Sequence, residues 1–269
     1  MKSYSRNLGF FLLTLVLLVA LFGPFFSSYS YDDQNLALKN QPPGSLFWLG
    51  SDDLGRDIFT RCCYGLRISL FIGVIAALID LVIGVGIGFA IAFSKKRNEE
   101  ILMRLIDCLY SLPYILVVMV VLLVLGPGLL SIITALSLTG WITITRIVRF
   151  EFSLLKHEEY VVYSKMLGAT KKYILMKHLI PNCKKAILGA VGLTIPAAIF
   201  AESFLSFLGL GVQAPLASLG TMASDSLAAI EYYPWRLLVP LAFIALLILG
   251  FNLAFTNFNS RKPNLVSAS

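Results

Sequence analysis

Two histidines and four cysteines are the residues of this chain best suited to acid–base, nucleophilic or metal chemistry. The cysteines are Cys62, Cys63, Cys108 and Cys183. They form no CxxC pair and no Cys/His cluster, which are the spacings that hold metals or redox disulfides. Adjacent cysteines such as Cys62 and Cys63 make only a strained disulfide. We therefore predict no metal site and interpret all four cysteines as packing residues.

The histidines offer no catalytic set either. His157 adjoins Glu158, and His178 lies in the same basic stretch without a third group to complete a nucleophile and base pair. A lone histidine in such a stretch indicates a structural role. The sequence also contains no GxxxxGK[ST] motif, so the chain is not expected to bind ATP by a P-loop of its own. We predict a protein that is not an enzyme and has no cofactor.

Three carboxylates stand within or beside apolar runs: Asp80, Asp107 and Glu202. A charge at the centre of a bilayer costs about 2.5–3.5 kcal/mol on insertion scales, so each should face protein or water. Asp107 follows Arg104 by three residues, a spacing that allows pairing on a helix as an anchor at its end. Asp80 has no basic residue one turn away, and its sequence context assigns it no role. A proton-coupled secondary transporter would use such acids as relays, and this remains the main alternative class.

Glu202 lies beside Ser203 and Ser206 in an apolar run. An acid with two hydroxyl neighbours in such a position either lines a polar path or pairs with a partner subunit. We treat the three residues as candidate pathway residues.

The elements that must position these residues are membrane helices. The chain is 58% hydrophobic and only 14% charged, whereas soluble domains carry about 25% charged residues. A bilayer core needs roughly 20 apolar residues in a helix. The apolar segments cover residues 8–31, 68–94, 108–145, 186–210 and 237–260. Because Gly126, Pro127 and Gly128 divide the third segment, we predict six spans, with both termini on the same side.

Charge indicates which side that is. With the N-terminus in the cytoplasm, 17 of the 22 basic residues lie inside. The outer five are Lys39, Arg56, Arg61, Arg67 and Arg236. This asymmetry follows the positive-inside rule, and it explains the net charge of +7 without nucleic-acid binding. The first apolar run is longer than the hydrophobic region of a cleaved signal peptide, so an uncleaved first span is preferred.

The longest predicted cytoplasmic segment, residues 146–185, carries nine basic and three acidic residues. Tyr160, Tyr163, Ser164 and Leu167 recur at steps of three and four, which predicts a short helix with one semi-apolar stripe. Such a helix either lies in the lipid headgroups or docks on another protein, and periodicity leaves both alternatives open.

Three further residues predict how this helix is joined to the next span. Gly168 can take a left-handed cap at the end of the helix, and Thr170 can cap a second helix. Pro181 is expected to end that second helix before the fifth span.

The order of residues in this loop, EYVVYSKMLGATKKYILMKHLIPN at 159–182, resembles the cytoplasmic loop of permeases of ATP-binding cassette importers in the peptide and nickel branch. The matching residues are Glu159, Tyr160, Val161, Gly168, Ala169, Ile174, His178, Pro181 and Asn182. Tyr163 and Ser164 stand where that family has two alanines. The resemblance implies that the first helix is a coupling helix seated in a groove on a cytoplasmic ATPase subunit.

Two other segments carry the same resemblance. Residues 49–73, LGSDDLGRDIFTRCCYGLRISLFIG, are similar to the family pattern LGTDxxGRDxxSRxxxGxRxSLxxG of C-type permeases. Residues 202–212, ESFLSFLGLGV, also match the family pattern. In the following Ser218-Leu219-Gly220, Leu219 replaces a tryptophan of the family, and the end of the chain departs from the family pattern. In the first of these segments Asp52, Asp53, Arg56 and Asp57 alternate in charge, which favours local pairing over substrate contact.

The resemblance implies an all-α membrane protein of six transmembrane helices, with the type I importer permease fold. We divide it into an N-terminal helix and outer segment at 1–66, a permease domain at 67–258 with its coupling loop at 150–185, and a cytoplasmic tail at 259–269. The implied partners are a homologous permease subunit, two cytoplasmic ATP-binding subunits, an extracytoplasmic binding protein and membrane lipid. The implied substrates are di- or oligopeptides, or alternatively nickel, and the implied location is the bacterial cytoplasmic membrane.

The resemblance also assigns the site residues. The candidate ATPase-coupling residues are Glu159, Tyr160, Tyr163, Ser164, Gly168, Ala169, His178, Pro181 and Asn182.

Overall fold

The structure is a computed structural model that describes residues 2–255. It is built from α-helices and confirms the predicted all-helical fold class. The helices, in chain order, are α1 Lys2–Phe22, α2 Ile58–Ala92, α3 Lys96–Tyr110, α4 Tyr114–Leu125, α5 Leu129–Leu155, α6 Glu159–Met166, α7 Lys171–Ile174, α8 Ile180–Phe207, α9 Leu219–Ser226 and α10 Trp235–Phe255. The predicted tail at 259–269 lies outside the described residues.

Within residues 2–255, five continuous helical segments are long and apolar enough to cross a membrane. They are Tyr4–Phe26, α2, α5, Lys171–Phe207 and α10. The third predicted span differs, because α3 and α4 meet at an angle of 79°. The 12 residues of α4 alone cover about 18 Å, less than the roughly 30 Å of a bilayer core. The chain therefore has six crossing elements only if this bent pair counts as one.

The second span begins ten residues before the apolar run that predicted it. Asp57 caps α2 by accepting hydrogen bonds from the backbone N–H groups of Phe59 and Thr60, at 3.3 and 3.1 Å. A helix of 35 residues is about 52 Å long, so α2 extends beyond the bilayer core. It also runs through the predicted domain boundary at residues 66 and 67.

The prediction that Pro181 ends a helix is wrong. A single π-helical turn, Leu175–Leu179, joins α7 to α8, so the helix continues from Lys171 to Phe207. A π turn resets the hydrogen-bonding register, and Pro181 then occupies the first turn of α8. The missing N–H of a proline is not needed at that position, so the helix passes through.

The two ends of the bundle have separate apolar cores. Toward the end at which α2 begins, Leu66, Ile199, Leu219 and Leu247 are buried together where α2, α8, α9 and α10 meet. Near the other end, α2 and α5 pack closely because Gly84 and Gly88 let the backbones approach; a side chain at Gly84 would meet Ile144. Small residues at such contacts are typical of membrane helices, whose association depends on van der Waals packing.

The cysteines differ in burial. Cys62, Cys63 and Cys183 are buried, as expected of packing residues, but Cys108 is exposed on α3. The prediction was wrong for Cys108 because α3 is an amphipathic helix with one exposed face rather than part of a straight buried span.

The segment before α2 is held by polar contacts. Asp52 accepts hydrogen bonds from the backbone N–H and the Nε of Arg56, at 2.9 and 2.7 Å. Arg236 of α10 lies 3.2 Å from Asp53, and Arg67 Nε donates to the carbonyl of Ala20 at 2.6 Å. The local charge pairing predicted for this segment is present between Asp52 and Arg56. Arg236 connects the segment to α10, and Arg67 connects α2 to α1.

Candidate functional site

The loop between α5 and α8 is anchored to the membrane bundle by apolar side chains. Val161 of α6 and Ile174 of α7 are buried in the core that Phe152, Leu155 and Leu179 also form. Because the anchors belong to different elements of the loop, α6 and α7 are fixed to the ends of α5 and α8. A displacement of α6 would therefore be transmitted to both long helices.

The end of α6 forms a left-handed turn at Gly168, as its sequence predicts. Gly168 has φ of +83°, and its N–H donates to the carbonyl of Lys165 at 3.0 Å. The N–H of Ala169 donates to the carbonyl of Ser164, also at 3.0 Å. These two hydrogen bonds make a Schellman motif, which favours glycine at this position. Thr170 then caps α7 by accepting from the N–H of Tyr173, as predicted.

His178 holds α6 against the helix that follows. Its Nε2 lies 2.9 Å from Ser164 Oγ, and the rings of Tyr160 and Tyr173 flank it, each at a centroid distance of 5.7 Å. Asn182 Nδ2 donates to the carbonyl of His178 at 2.6 Å. Burial raises the pKa of the Tyr160 phenol above its ordinary value, so the hydroxyl stays protonated at neutral pH. The contacts make His178 a structural residue of the loop.

The loop also exposes large apolar side chains, and we call this set the loop face. It consists of Tyr163, Met166, Leu167, Tyr173 and Met176. Met166 is 77% exposed and Leu167 88% exposed. Contiguous apolar surface rimmed by charge marks an interaction site. The basic residues Lys165, Lys171 and Lys172 adjoin this face in the chain.

Two lysines join the loop to the end of α2. Lys156 Nζ donates to the carbonyl of Ala92 at 2.7 Å, where α2 ends. The ammonium of Lys165 lies 4.8 Å from the ring centroid of Phe93. A cation at the C-terminal end of a helix is favourable because it meets the carbonyl ends of the helix dipole.

Ion pairs tie α3 to α5. Asp107 accepts from Arg146 Nη2 at 2.6 Å, and Glu99 accepts from Arg149 Nε at 2.7 Å. The expected pairing of Asp107 with Arg104 on one helix is therefore wrong, because the bend after α3 brings Asp107 beside α5. Asp107 still anchors the end of a helix, but through another element.

Glu202 is enclosed within the chain. Its carboxylate accepts hydrogen bonds from Ser69 of α2 at 2.9 Å, from Ser206 at 2.8 Å and from Ser203 at 3.4 Å. Ser206 in turn accepts from Ser218, which caps α9, at 3.2 Å. Glu202 is buried and joins α8 to α2, and its role at a pathway stays a prediction. Ser206 also borders a cavity of about 580 Å³ that Arg56, Arg61 and Asp225 help to line.

The remaining predicted coupling residues lie at the edges of this loop. Glu159 is exposed in the first turn of α6, Pro181 is exposed in the first turn of α8, and Ala169 packs against the core beneath the loop. Sequence reasoning did not name Met166, Tyr173 or Met176 as functional residues. Their signal is large apolar side chains within a strongly basic segment.

Among the described residues, no group of three His, Cys, Asp or Glu side chains is arranged to hold a metal ion.

Family models match most of the chain. Residues 81–262 match the model described as "Binding-protein-dependent transport system inner membrane component". Residues 7–43 match the model described as "N-terminal TM domain of oligopeptide transport permease C".

Curated relatives are similar over nearly the whole chain. The "Oligopeptide transport system permease protein OppC" of Bacillus subtilis (strain 168) is 50% identical over 91% of this chain and 80% of that protein. The "Dipeptide transport system permease protein DppC" of the same organism is 50% identical over 93% of this chain and 79% of that protein. The OppC protein of Escherichia coli (strain K12) is 34% identical over 94% of this chain and 84% of that protein.

Among solved structures, the chain is similar to one titled "Inward facing conformations of the MetNI methionine ABC transporter". The TM-score is 0.60 at 18% identity, covering 71% of this chain and 91% of the other. At this level of identity the likeness supports the fold alone.

Proposed function

This chain belongs to the family of binding-protein-dependent transport system inner membrane components, and on that premise we propose that it carries di- or oligopeptides across the membrane. It would do so as one permease subunit of an ATP-driven importer. The relatives at 50% identity are named for oligopeptide and dipeptide transport, which favours peptides over nickel. Family membership also favours ATP-driven import over proton-coupled transport.

The observation that carries the coupling proposal is the loop face. Leu167 and Met166 project from a loop whose other side is buried through Val161 and Ile174. We propose that a cytoplasmic ATPase subunit covers this face, and that its closure moves α6 as a rigid body with the ends of α5 and α8. A packed unit of this kind switches between two arrangements rather than deforming gradually.

The partners and the orientation belong to the same proposal. A second, homologous permease would complete the pathway, with two ATP-binding subunits on the cytoplasmic side and a binding protein outside. Such a permease could cover the exposed stripe of Leu193, Ala197, Phe200 and Phe204 along α8. The excess of basic residues on the loop side supports cytoplasmic termini in the bacterial cytoplasmic membrane. The division at 66 and 67 and the pathway role of Ser203 and Ser206 stay predictions.

The test is transport by the complete importer in proteoliposomes. With ATP on the ATPase side and the binding protein on the other, we expect uptake of labelled tri-alanine that persists when a protonophore removes the proton gradient. Nickel uptake under the same conditions should stay at background. Uptake of ⁶³Ni²⁺ without tri-alanine uptake would replace the peptide by nickel. Collapse of tri-alanine uptake on adding the protonophore, with ATP still present, would favour a proton-coupled transporter.

A further inference from the structure

Asp80 is the one buried acid of the described spans that the coupling mechanism leaves without a role. It is 2% exposed, and it lies 12 residues before the end of α2, about 18 Å from that end at 1.5 Å per residue. Its Oδ1 accepts no hydrogen bond from the described residues. The ion pairs of the described chain use other carboxylates. By contrast, the equally buried Glu202 is surrounded by serine hydroxyls.

A recess of about 220 Å³ leads to this carboxylate. Tyr114, Thr139, Thr143 and Thr194 contribute hydroxyl groups to its wall, which is otherwise mainly alanine and leucine. The hydroxyl of Tyr114 also lacks a hydrogen-bond partner among the described residues. An unpartnered carboxylate oxygen and an unpartnered phenol that border one recess indicate a ligand that supplies hydrogen-bond donors, because leaving both atoms unpaired in a membrane is costly.

Gly140 is what places the carboxylate at the recess. A Cβ at this position would overlap both carboxylate oxygens, so Asp80 packs directly on the bare backbone of α5. The recess opens onto the exposed surface between α5 and α8, where Thr143, Leu193 and Ala197 lie. This is the surface next to the α8 stripe that we propose a second permease covers. Leu193 and Ala197 belong to both the recess and that stripe, so the opening lies at the proposed interface between the two permeases.

We propose that this recess binds the amino-terminal ammonium group of a peptide in transit, with Asp80 as counter-ion and Tyr114 as a hydrogen-bond partner. The inference rests on the proposed peptide transport. An ammonium group offers three donors, which suits a carboxylate and neighbouring hydroxyls. A recess of about 220 Å³ is larger than the space that several water molecules need, which leaves room for the ammonium and the first residue of a peptide.

The composition of the recess favours an organic ammonium over a metal ion. Hard divalent cations prefer six or more oxygen ligands, several of them carboxylates or carbonyls, and the recess offers a single carboxylate with four neutral hydroxyl groups among apolar side chains. Its apolar wall instead suits the side chain that accompanies an α-amino group. Its half-open shape suits a group that must also leave.

The first test measures the electrostatic preference of the recess in the complete importer. Cys108→Ser removes the exposed cysteine, and Thr143→Cys places a thiol in the recess. At each cysteine we compare the reaction rate of the cationic aminoethyl methanethiosulfonate with that of the anionic sulfonatoethyl reagent. We expect this cation-to-anion rate ratio to be about tenfold higher at Thr143→Cys than at Leu138→Cys, an exposed site of α5 outside the recess. Asp80→Asn should remove that preference. Equal ratios at both sites would overturn the proposal.

The second test identifies the ligand. Millimolar tri-alanine should slow modification of Thr143→Cys, whereas N-acetyl-tri-alanine, which lacks the ammonium, should not; Asp80→Asn should abolish the difference. Equal protection by both peptides, or protection by Na⁺ alone, would overturn the inference. Tri-alanine uptake by the unsubstituted importer distinguishes failure of the proposed function from failure of this inference. Absence of tri-alanine uptake would overturn the proposed function together with this inference, whereas normal uptake with equal protection would overturn the inference alone.

Discussion

The outer segment before α2 and the loop between α5 and α8 are both polar connections. They differ in whether their exposed groups find partners within the chain. In the outer segment Asp52 and Asp57 have their oxygens satisfied by neighbours within the chain. Arg236, which is 4% exposed, is held there by Asn40 and Asp53. In the loop the buried side is equally well packed, yet Leu167 and Met166 remain uncovered.

The difference indicates what each region needs from outside. Charge-assisted hydrogen bonds within one chain fix a segment without a partner. Exposed apolar side chains beside lysines gain stability only when another surface covers them. The outer segment is therefore a structural clamp held by contacts within the chain, whereas the loop presents a face for another subunit. Substitutions in the loop should alter coupling, and substitutions in the clamp should alter stability.

The largest effect is expected from Gly168→Val. A side chain at φ of +83° costs about 1–2 kcal/mol or more, and valine is among the least tolerant residues there. No atom lies within 4 Å of a Cβ built at this position, so the strain is conformational. Because the Schellman turn sets the direction of α6, we expect tri-alanine uptake by the reconstituted importer to fall by about tenfold or more.

The matched control is Gly86→Val. A Cβ at Gly86 also meets nothing within 4 Å, but its backbone is helical and accepts an L-residue. The same substitution should therefore leave most of the uptake intact. Normal uptake by the Gly168 variant, with peptide-stimulated ATP hydrolysis preserved, would show that the turn is not required for coupling.

The turn at Gly168 also shows how far sequence reasoning reaches. Gly168, Thr170 and the short helix before them were predictable because they depend on local backbone preferences and side-chain periodicity. The path through Pro181 was not, because it depends on the π turn at Leu175–Leu179, which residue preferences do not signal. The preferences of single residues predicted that the helix ends at Pro181, whereas the helix continues there with a shifted hydrogen-bond register.

The second kind of feature that the sequence did not predict is contact between side chains of different helices. Asp107 pairs with Arg146 because the chain bends by 79° after α3, and the apolar run gave no sign of that angle. Glu202 was expected to line a path or to pair with a partner subunit, because the sequence shows an acid in an apolar run but does not show that Ser69 lies opposite it. The sequence drew attention to both acids, but the residues that bind them are set by the packing of helices that are distant in the chain.

The next prediction concerns binding of the ATPase subunit and uses Leu167→Glu. Covering an exposed leucine contributes about 1.5–3 kcal/mol, so a charge in its place should weaken binding of the ATPase subunit by at least tenfold. The measurement is the amount of ATPase subunit that co-purifies with the permease at increasing detergent washes. His157→Glu, an exposed change in the same loop, should retain the ATPase subunit. Equal retention by both variants would contradict docking at the loop face.

The clamp is tested by Asp57→Ala. This substitution removes the cap of α2 and leaves Ser27 and Thr60 without their shared acceptor, which should cost about 1–2 kcal/mol. We expect a lower Tm of the detergent-solubilised importer, with an unchanged number of ATP molecules hydrolysed per peptide. Asp32→Ala, at an exposed carboxylate of the same segment, should leave the Tm within error. Loss of coupling without loss of stability would reverse the roles assigned to the two regions.

The smallest effect is expected from Ser164→Ala, which places the alanine typical of related permeases at this position. The change removes the contact between Ser164 and His178, a half-buried hydrogen bond worth about 0.5–1.5 kcal/mol. Uptake should therefore fall by no more than about tenfold, and the ATPase subunit should remain bound. Since His178 also packs between Tyr160 and Tyr173, His178→Ala alone should cost more than Ser164→Ala.

A double-mutant cycle separates the contact from the packing. If Ser164 acts only through His178, adding Ser164→Ala to His178→Ala should produce no further loss of uptake, and the two single effects will not add. Additive losses would mean that Ser164 contributes to coupling through the ATPase surface itself. In that case Ser164 would belong to the loop face, and α6 would contact the ATPase subunit through this polar side chain as well as through its exposed apolar side chains.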